Sequence, residues 1–161
     1  MLMKWQNNKK GISIIEILIV TAIIIVALIG LFGLVALSLR ISTLTKETAQ
    51  ANNLAQETIE AVRNFRDGTS WDINGLGTLA TSTAYHPEKS GDVPPKWQLI
   101  LGEEIEGGFT RKVVFDEVCR DGDDNIVETG GEVDPNTRKI ITTISWKDEE
   151  VKVVTYLTNW R

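Results

Sequence analysis

The most prominent pattern in the chain is an uncharged, apolar run near its N-terminus. Residues 17–39 contain no charged side chain, and Arg40 ends the run. A helix rises ~1.5 Å per residue, so this run is long enough to cross a hydrocarbon layer of ~30 Å. We therefore predict a membrane-spanning helix over residues 12–39.

Apolar residues continue after Arg40 with the spacing of one helix face. They recur every three or four positions, as the buried stripe of an amphipathic helix requires. The stripe consists of Ile41, Leu44, Ala51, Leu54, Ala55, Ile59, Val62 and Phe65. We predict that the same helix continues over residues 40–67 and ends near Gly68, because glycine readily adopts the left-handed C-terminal conformation.

The remainder of the chain has the pattern of a loop followed by strands. Residues 68–96 are rich in Gly, Ser, Thr, Asn and Asp and hold three of the four prolines, which predicts a loop. Strand-like runs follow at 97–101, 109–119, 139–147 and 151–158. The last two should form an antiparallel hairpin around a turn at 147–150. The predicted fold class is α+β, with one long helix packed on a small antiparallel sheet in residues 97–161.

The charges on either side of the apolar run predict its orientation in a membrane. Lys4, Lys9 and Lys10 are the only charges before Gly11. Basic residues favour the cytoplasmic side of a span, so the N-terminus should stay inside and the C-terminal domain should be exported. The formal net charge of the whole chain is −5. Removing residues 1–11 takes away three lysines and no acid, and such an acidic exported domain is not expected to bind nucleic acid.

The N-terminal segment does not have the order of an ordinary secretory signal. In such a signal the small residue at the cleavage site follows the apolar core, whereas Gly11 precedes it here. The apolar segment also contains an acid, Glu16. A carboxylate in hydrocarbon costs ~3 kcal/mol and needs a partner. The new amino group of Ile12 after a cut at Gly11 is a candidate partner. The alternative is a plain anchor in which Glu16 reaches toward the headgroups and Gly11 is incidental.

Residues 10–16, with the sequence KGISIIE, resemble the class III signal of type IV pilins and of the pseudopilins of type II secretion. The resemblance implies that a membrane-embedded prepilin peptidase cuts between Gly11 and Ile12 and methylates the new N-terminus at Ile12. Lys9 and Lys10 would be the last charges of the leader, residues 1–11. Glu16 would neutralise the N-terminal amine of a neighbouring subunit. Phe is the most frequent first residue in the family, and Ile12 departs from that pattern.

A second, less specific resemblance lies in residues 51–67, which are similar to the helix of V-type minor pilins and of the I-type minor pseudopilin. Together the two resemblances imply a structural, minor subunit of a pilus or pseudopilus filament. The implied partners are the prepilin peptidase, other pilin subunits, an inner-membrane assembly platform and the lipid bilayer. The alternative function is an exported domain that binds a substrate or calcium, stays tethered to the membrane and does not polymerise.

One acidic segment suggests a calcium loop. Asp121, Asp123, Asn125 and Glu132 stand at positions 1, 3, 5 and 12 of the calcium-loop spacing. Ile126 occupies position 6, where that loop needs glycine, and the flanks are strand-like. The alternative is a solvated hairpin tip, since Asp-Gly-Asp-Asp is strong turn chemistry. No cofactor other than calcium is suggested.

The sequence contains no catalytic motif that we can identify, and the chain is not expected to be an enzyme. His86 is the single histidine, and no glycine-rich phosphate loop is present. Cys119 is the single cysteine, so an intramolecular disulfide is excluded. It would either lie buried as a small apolar residue or link two chains.

Overall fold

The computed structural model describes residues 13–160. Within them the chain forms one α-helix, α1 (Ile14–Gly68), one 3-10 helix, η1 (Leu76–Thr78), and seven strands. The strands are β1 (Ala84–Lys89), β2 (Trp97–Leu101), β3 (Glu104–Glu106), β4 (Phe109–Arg120), β5 (Ile126–Val127), β6 (Glu132–Trp146) and β7 (Glu149–Thr158). The predicted combination of one long N-terminal helix and an antiparallel sheet is therefore confirmed.

The chain divides into two compact units, Met1–Thr45 and Lys46–Arg161. The described part of the first unit is helical from Ile14 onward, and every residue from 13 to 45 is exposed. This helix is long and apolar enough to cross a membrane. The predicted end of α1 near Gly68 is also confirmed.

In the second unit the helix packs against the sheet through small side chains. Its buried residues are Ala51, Ala55, Thr58, Ala61 and Val62. Residues this small bring the helix backbone close to the strands, where larger side chains fill the layer between them. The larger side chains form two clusters, one containing Trp71, Leu76, Tyr85, Val113, Phe115, Ile140 and Leu157, the other containing Phe109, Ile144 and Trp146.

All strand pairs in the sheet are antiparallel, and the strand order is β2-β1-β4-β6-β7. The short strands β3 and β5 also pair with β4. Buried and less buried residues alternate along β4 because successive side chains point to opposite faces. One face of this central strand therefore belongs to the core and the other faces outward.

The predicted hairpin of the last two strands is confirmed, but its turn is shorter than predicted. Trp146 pairs with Glu149, so only Lys147 and Asp148 connect β6 to β7. Lys147 has φ of 51°. Two-residue turns that use positive φ match the twist of the flanking strands, which explains the tight connection.

The prediction of a loop over residues 68–96 is wrong in part, because this segment contains η1 and β1. Pro87 lies inside β1, and a proline usually argues against a strand. However, only Ala84 and Tyr85 of β1 pair with β4, so Pro87 interrupts no hydrogen bond on that side. Pairing of β1 with β2, together with the buried Tyr85 ring, defines the strand. These are contacts between distant segments, which local periodicity does not reveal.

Candidate functional site

Glu16 lies in the first turn of α1. The helix begins where the backbone N–H groups of Glu16 and Ile17 donate to the carbonyl oxygen of Ser13, at 3.0 and 3.3 Å. The residue is exposed. No basic side chain among residues 13–160 pairs with Glu16 in the single chain. Its carboxylate is therefore available to a group supplied from elsewhere.

The apolar surface that follows Glu16 is exposed on all sides of the helix. Its one threonine, Thr21, donates its hydroxyl to the carbonyl oxygens of Ile17 and Leu18 at 2.9 and 3.0 Å. A hydroxyl satisfied by its own helix does not need water, so it adds little to the cost of an apolar environment. Glu16 is thus the only group in residues 14–39 that carries a charge.

The predicted leader and cleavage residues lie outside the described part of the chain. These are Lys9, Lys10, Gly11 and Ile12. The cut after Gly11, the methylation of Ile12 and the cytoplasmic position of the two lysines therefore stay predictions. Of the residues that the first resemblance concerns, 13–16 lie in the described part of the chain.

The proposed calcium segment begins with a tight turn whose hydrogen bonds are internal. The Asp121 Oδ1 atom accepts hydrogen bonds from the backbone N–H groups of Asp123 at 3.0 Å and Asn125 at 2.8 Å. These bonds, led by that of the Asn125 N–H, hold the pKa of Asp121 below its ordinary value. Asp124 takes a φ of 66°, the left-handed conformation that Asp tolerates in turns.

This geometry fits a hairpin tip better than it fits a calcium loop. Both backbone hydrogen bonds of the turn go to Asp121 Oδ1, and the Asn125 side-chain amide donates to Oδ1 at 3.3 Å and to Oδ2 at 3.2 Å. Glu132 lies in β6, where its backbone stands opposite that of Arg120 in the strand register. Within residues 13–160, no group of three His, Cys, Asp or Glu side chains is arranged to hold a metal ion. Calcium binding by Asp121, Asp123, Asn125 and Glu132 stays a prediction.

Beside this turn, Arg120 and Asp134 form an ion pair that ties β4 to β6. The Arg120 Nε atom donates to Asp134 Oδ2 at 2.8 Å, and the Thr137 hydroxyl donates to the same oxygen at 2.6 Å. The Thr137 hydrogen bond and then the Arg120 hydrogen bond hold the pKa of the Asp134 carboxyl below its ordinary value. The pair anchors the bulged end of β4, where the register shifts between Glu117 and Val118.

A second ion cluster surrounds Arg111, which is 4% exposed and lies on the core face of β4. Its guanidinium donates to Glu104, with Nε at 2.8 Å from Oε2 and Nη2 also bonded to that oxygen. Two further carboxylates stand beyond hydrogen-bond distance, Glu57 at 3.8 Å from Nη1 and Glu106 at 3.9 Å from Nη2. One guanidinium is therefore shared by three carboxylates.

The strand β3 forms part of a short segment, residues 101–108, that we call the acidic arm. It contains Glu103, Glu104 and Glu106 and pairs with the beginning of β4. Two apolar side chains of the arm face solvent, with Leu101 69% and Ile105 78% exposed. Gly102, Gly107 and Gly108 take positive φ angles of 109°, 59° and 86°, which allow the chain to reverse at both ends of β3.

Sequence reasoning missed the Arg111 cluster, although a signal for it exists. Phe109, Val113 and Phe115 stand at odd positions and face the core. Arg111 also stands at an odd position. Because successive side chains of a strand point to opposite faces, the sequence already predicts that the charged side chain of Arg111 lies on the buried face. A charge at such a position needs partners, which the three nearby carboxylates supply.

Comparison of the chain with protein-family models, with curated proteins and with solved structures finds no match. Arguments about function therefore depend on the chemistry and geometry of the chain itself.

Proposed function

We propose that the chain is a structural, minor subunit of a type IV pilus-like or type II secretion pseudopilus filament. The N-terminal helix holds the precursor in the inner membrane, with its N-terminus in the cytoplasm and its C-terminal domain exported. A prepilin peptidase removes residues 1–11 and methylates Ile12. The mature chain then joins other subunits through its helix, on an assembly platform in the inner membrane.

The observation that carries the proposal is the position of Glu16 on an exposed apolar helix. A plain anchor gains nothing from an acid one turn inside its span, because the carboxylate must remain solvated or be neutralised. A filament subunit has a use for it, since the amine at residue 12 of a neighbour supplies the missing positive charge. Pairing two charges in an apolar environment is far more favourable than leaving either alone.

The exposed surface of the helix supports the same proposal. From Ile14 to Leu44 the large apolar side chains have no partner within the described chain. Lipid covers such a surface while the chain is a membrane protein, and other helices cover it after assembly. The second unit, Lys46–Arg161, has its own core and would be displayed on the outside of the filament.

Replacement of Glu16 tests this proposal. In cells that contain the assembly machinery, Glu16→Ala should reduce incorporation into filaments by about 100-fold, the ratio expected when a neighbouring amine is left unpaired in an apolar interface. Glu16→Gln should fail in the same way, because it keeps the shape and loses the charge. Incorporation is measured as the ratio of filament-bound to membrane-bound protein.

Thr21→Ala is the matched control, because it changes a polar side chain of the same exposed helix without removing a charge. It should incorporate as the unaltered chain does. Normal incorporation of Glu16→Ala would contradict the filament proposal and favour the membrane-tethered binding domain.

A further inference from the structure

One edge of the sheet is a long strand whose outer side is unpaired within residues 13–160. The strand order places β7 at this edge, where only β6 pairs with it. The pairing covers every residue from Glu149 to Thr158 and contains no shift of register. The strand contains no proline. A regular strand of this length presents an uninterrupted row of backbone groups to a further strand.

The register defines which backbone groups of β7 point away from β6. In an antiparallel pair, successive residues direct their N–H and C=O groups alternately toward the partner strand and away from it. The Asn159 N–H donates to the carbonyl oxygen of Asn136 in β6 at 2.7 Å, so the odd positions face β6. The outward groups therefore belong to Glu150, Lys152, Val154, Tyr156 and Thr158. No other backbone segment of residues 13–160 forms hydrogen bonds with them.

The opposite edge of the sheet is less suited to a further strand. It is formed by β2, which has five residues where β7 has ten. Pro94 and Pro95 stand just before β2, and proline has no N–H group to donate. A partner strand would therefore gain about twice as many backbone hydrogen bonds at β7 as at β2.

The side chains of β7 differ between its two faces. Val151 and Val153 pack against the cluster that contains Trp146, but they remain only partly buried. An added strand with apolar side chains on this face would cover them. On the other face Glu150 and Lys152 are exposed, and neither forms an ion pair within residues 13–160.

We propose that β7 binds an extended segment of a partner protein as an additional antiparallel strand. N–H donors and carbonyl acceptors alternate along the outer edge, and another extended chain presents the complementary row at the same spacing. The bound segment has apolar side chains at every second position, over Val151 and Val153. Between them it has polar side chains, with an acid opposite Lys152 and a base opposite Glu150.

This inference goes beyond the proposed function. The strand β7 lies in the unit Lys46–Arg161, which has a core of its own. Binding at β7 therefore does not depend on the N-terminal helix or on its assembly into a filament.

A synthetic peptide with the sequence TVTVTVEVK and blocked ends is the probe. In antiparallel register with residues 150–158, its valines lie on the face of Val151 and Val153. Its glutamate then stands opposite Lys152 and its lysine opposite Glu150. When the peptide is added to the full-length chain in detergent, the outward N–H groups of Lys152 and Val154 should exchange with solvent about tenfold more slowly. The Val153 N–H, which already faces β6, is the internal control.

Two N-methylated forms of the peptide test whether backbone hydrogen bonds provide the affinity. Methyl groups on the third and fifth backbone nitrogens remove two donors that face β7, and should weaken binding about 30-fold. The same number of methyl groups on the fourth and sixth nitrogens is the matched control. Those nitrogens point away from β7, so binding should stay as it is for the unmodified peptide. Fluorescence anisotropy of the labelled peptides measures the affinities.

A change in the protein tests the same edge. Val154→Pro removes one outward N–H group and no hydrogen bond to β6, because proline is tolerated on the solvent side of an edge strand. It should weaken binding of the unmodified peptide about tenfold. Val154→Thr keeps the N–H group and should bind as the unaltered chain does. Should Val154→Pro fail to fold, the methylated peptides on the unaltered chain still decide the question.

Three results would overturn the proposal. Equal affinity of the two methylated peptides would mean that side chains alone provide the binding. Unchanged exchange of the Lys152 and Val154 amides at millimolar peptide would mean that the edge takes no strand. Slow exchange of these amides without peptide, together with the mass of two chains in detergent, would assign the edge to a second copy of this chain.

Discussion

At the scale of single residues, the second unit depends on charges placed where apolar side chains would ordinarily stand. Arg111 takes a core-facing position on β4, between Phe109 and Val113. Its charge is compensated because Glu104 accepts two of its hydrogen bonds and Glu57 and Glu106 lie near. Arg111 thereby connects three elements, the helix α1, the strand β3 and the strand β4.

Arg111→Ala should therefore destabilise the second unit by ~2 kcal/mol, because three carboxylates lose their shared cation and a buried side chain is removed. The cost stays below that of a fully buried pair, since Glu57 and Glu106 can rehydrate. Urea unfolding of the full-length chain in detergent, followed by tryptophan fluorescence, measures the change. We expect a shift of about 1 M in the midpoint.

Lys112→Ala is the matched control for this prediction. Lys112 is the next residue, faces outward, and pairs with Glu103 at 2.8 Å with both side chains substantially exposed. Its loss should cost ~0.5 kcal/mol, as is usual for a surface ion pair. Equal shifts for the two variants would mean that the Arg111 cluster contributes no more than a surface pair does.

At the scale of elements, the parts with strong local patterns could be predicted from the sequence. The apolar run and the helical stripe define α1, and the alternating pattern around residues 139–158 defines the β6–β7 hairpin. The strands β3 and β5 could not be predicted, because they are too short to show a period. The strand β1 could not be predicted because it contains proline and pairs with β4, which lies far along the chain. Likewise, Glu16 could be identified from the sequence as an isolated acid in an apolar run. The carboxylate partners of Arg111 on β3 could be identified only from the pairing of β3 with β4.

The connection from β5 to β6 provides a test at this scale. Gly130 and Gly131 have φ angles of +77° and +84°, which L-residues rarely adopt. A Cβ atom at Gly131 would also lie 2.3 Å from the Arg120 carbonyl oxygen, whereas a Cβ atom at Gly130 would have nothing within 4 Å. Gly130→Ala should therefore cost only the backbone strain of ~1 kcal/mol, and Gly131→Ala clearly more.

Urea unfolding of the two glycine variants in parallel measures this difference. The comparison isolates steric exclusion from backbone strain, because both positions have nearly the same φ. If Gly131→Ala were as stable as Gly130→Ala, the close approach of this connection to the Arg120 backbone would be incorrect.

At the scale of the whole molecule, the two units have different requirements. The unit Lys46–Arg161 contains a core of helix and sheet that buries its own apolar residues. The described helix of Met1–Thr45 buries none of its side chains within the chain. It is long and apolar enough to cross a membrane, and the filament proposal surrounds it first with lipid and then with other subunits.

The mass of the mature protein tests this account most directly. Full-length protein expressed with a prepilin peptidase should have the mass of a chain that begins at Ile12 and carries one added methyl group. Expression without the peptidase, or of Gly11→Leu with it, should leave a chain that begins at Met1. If the unaltered chain still begins at Met1 when an active peptidase is present, the chain is a membrane tether and the filament account is contradicted.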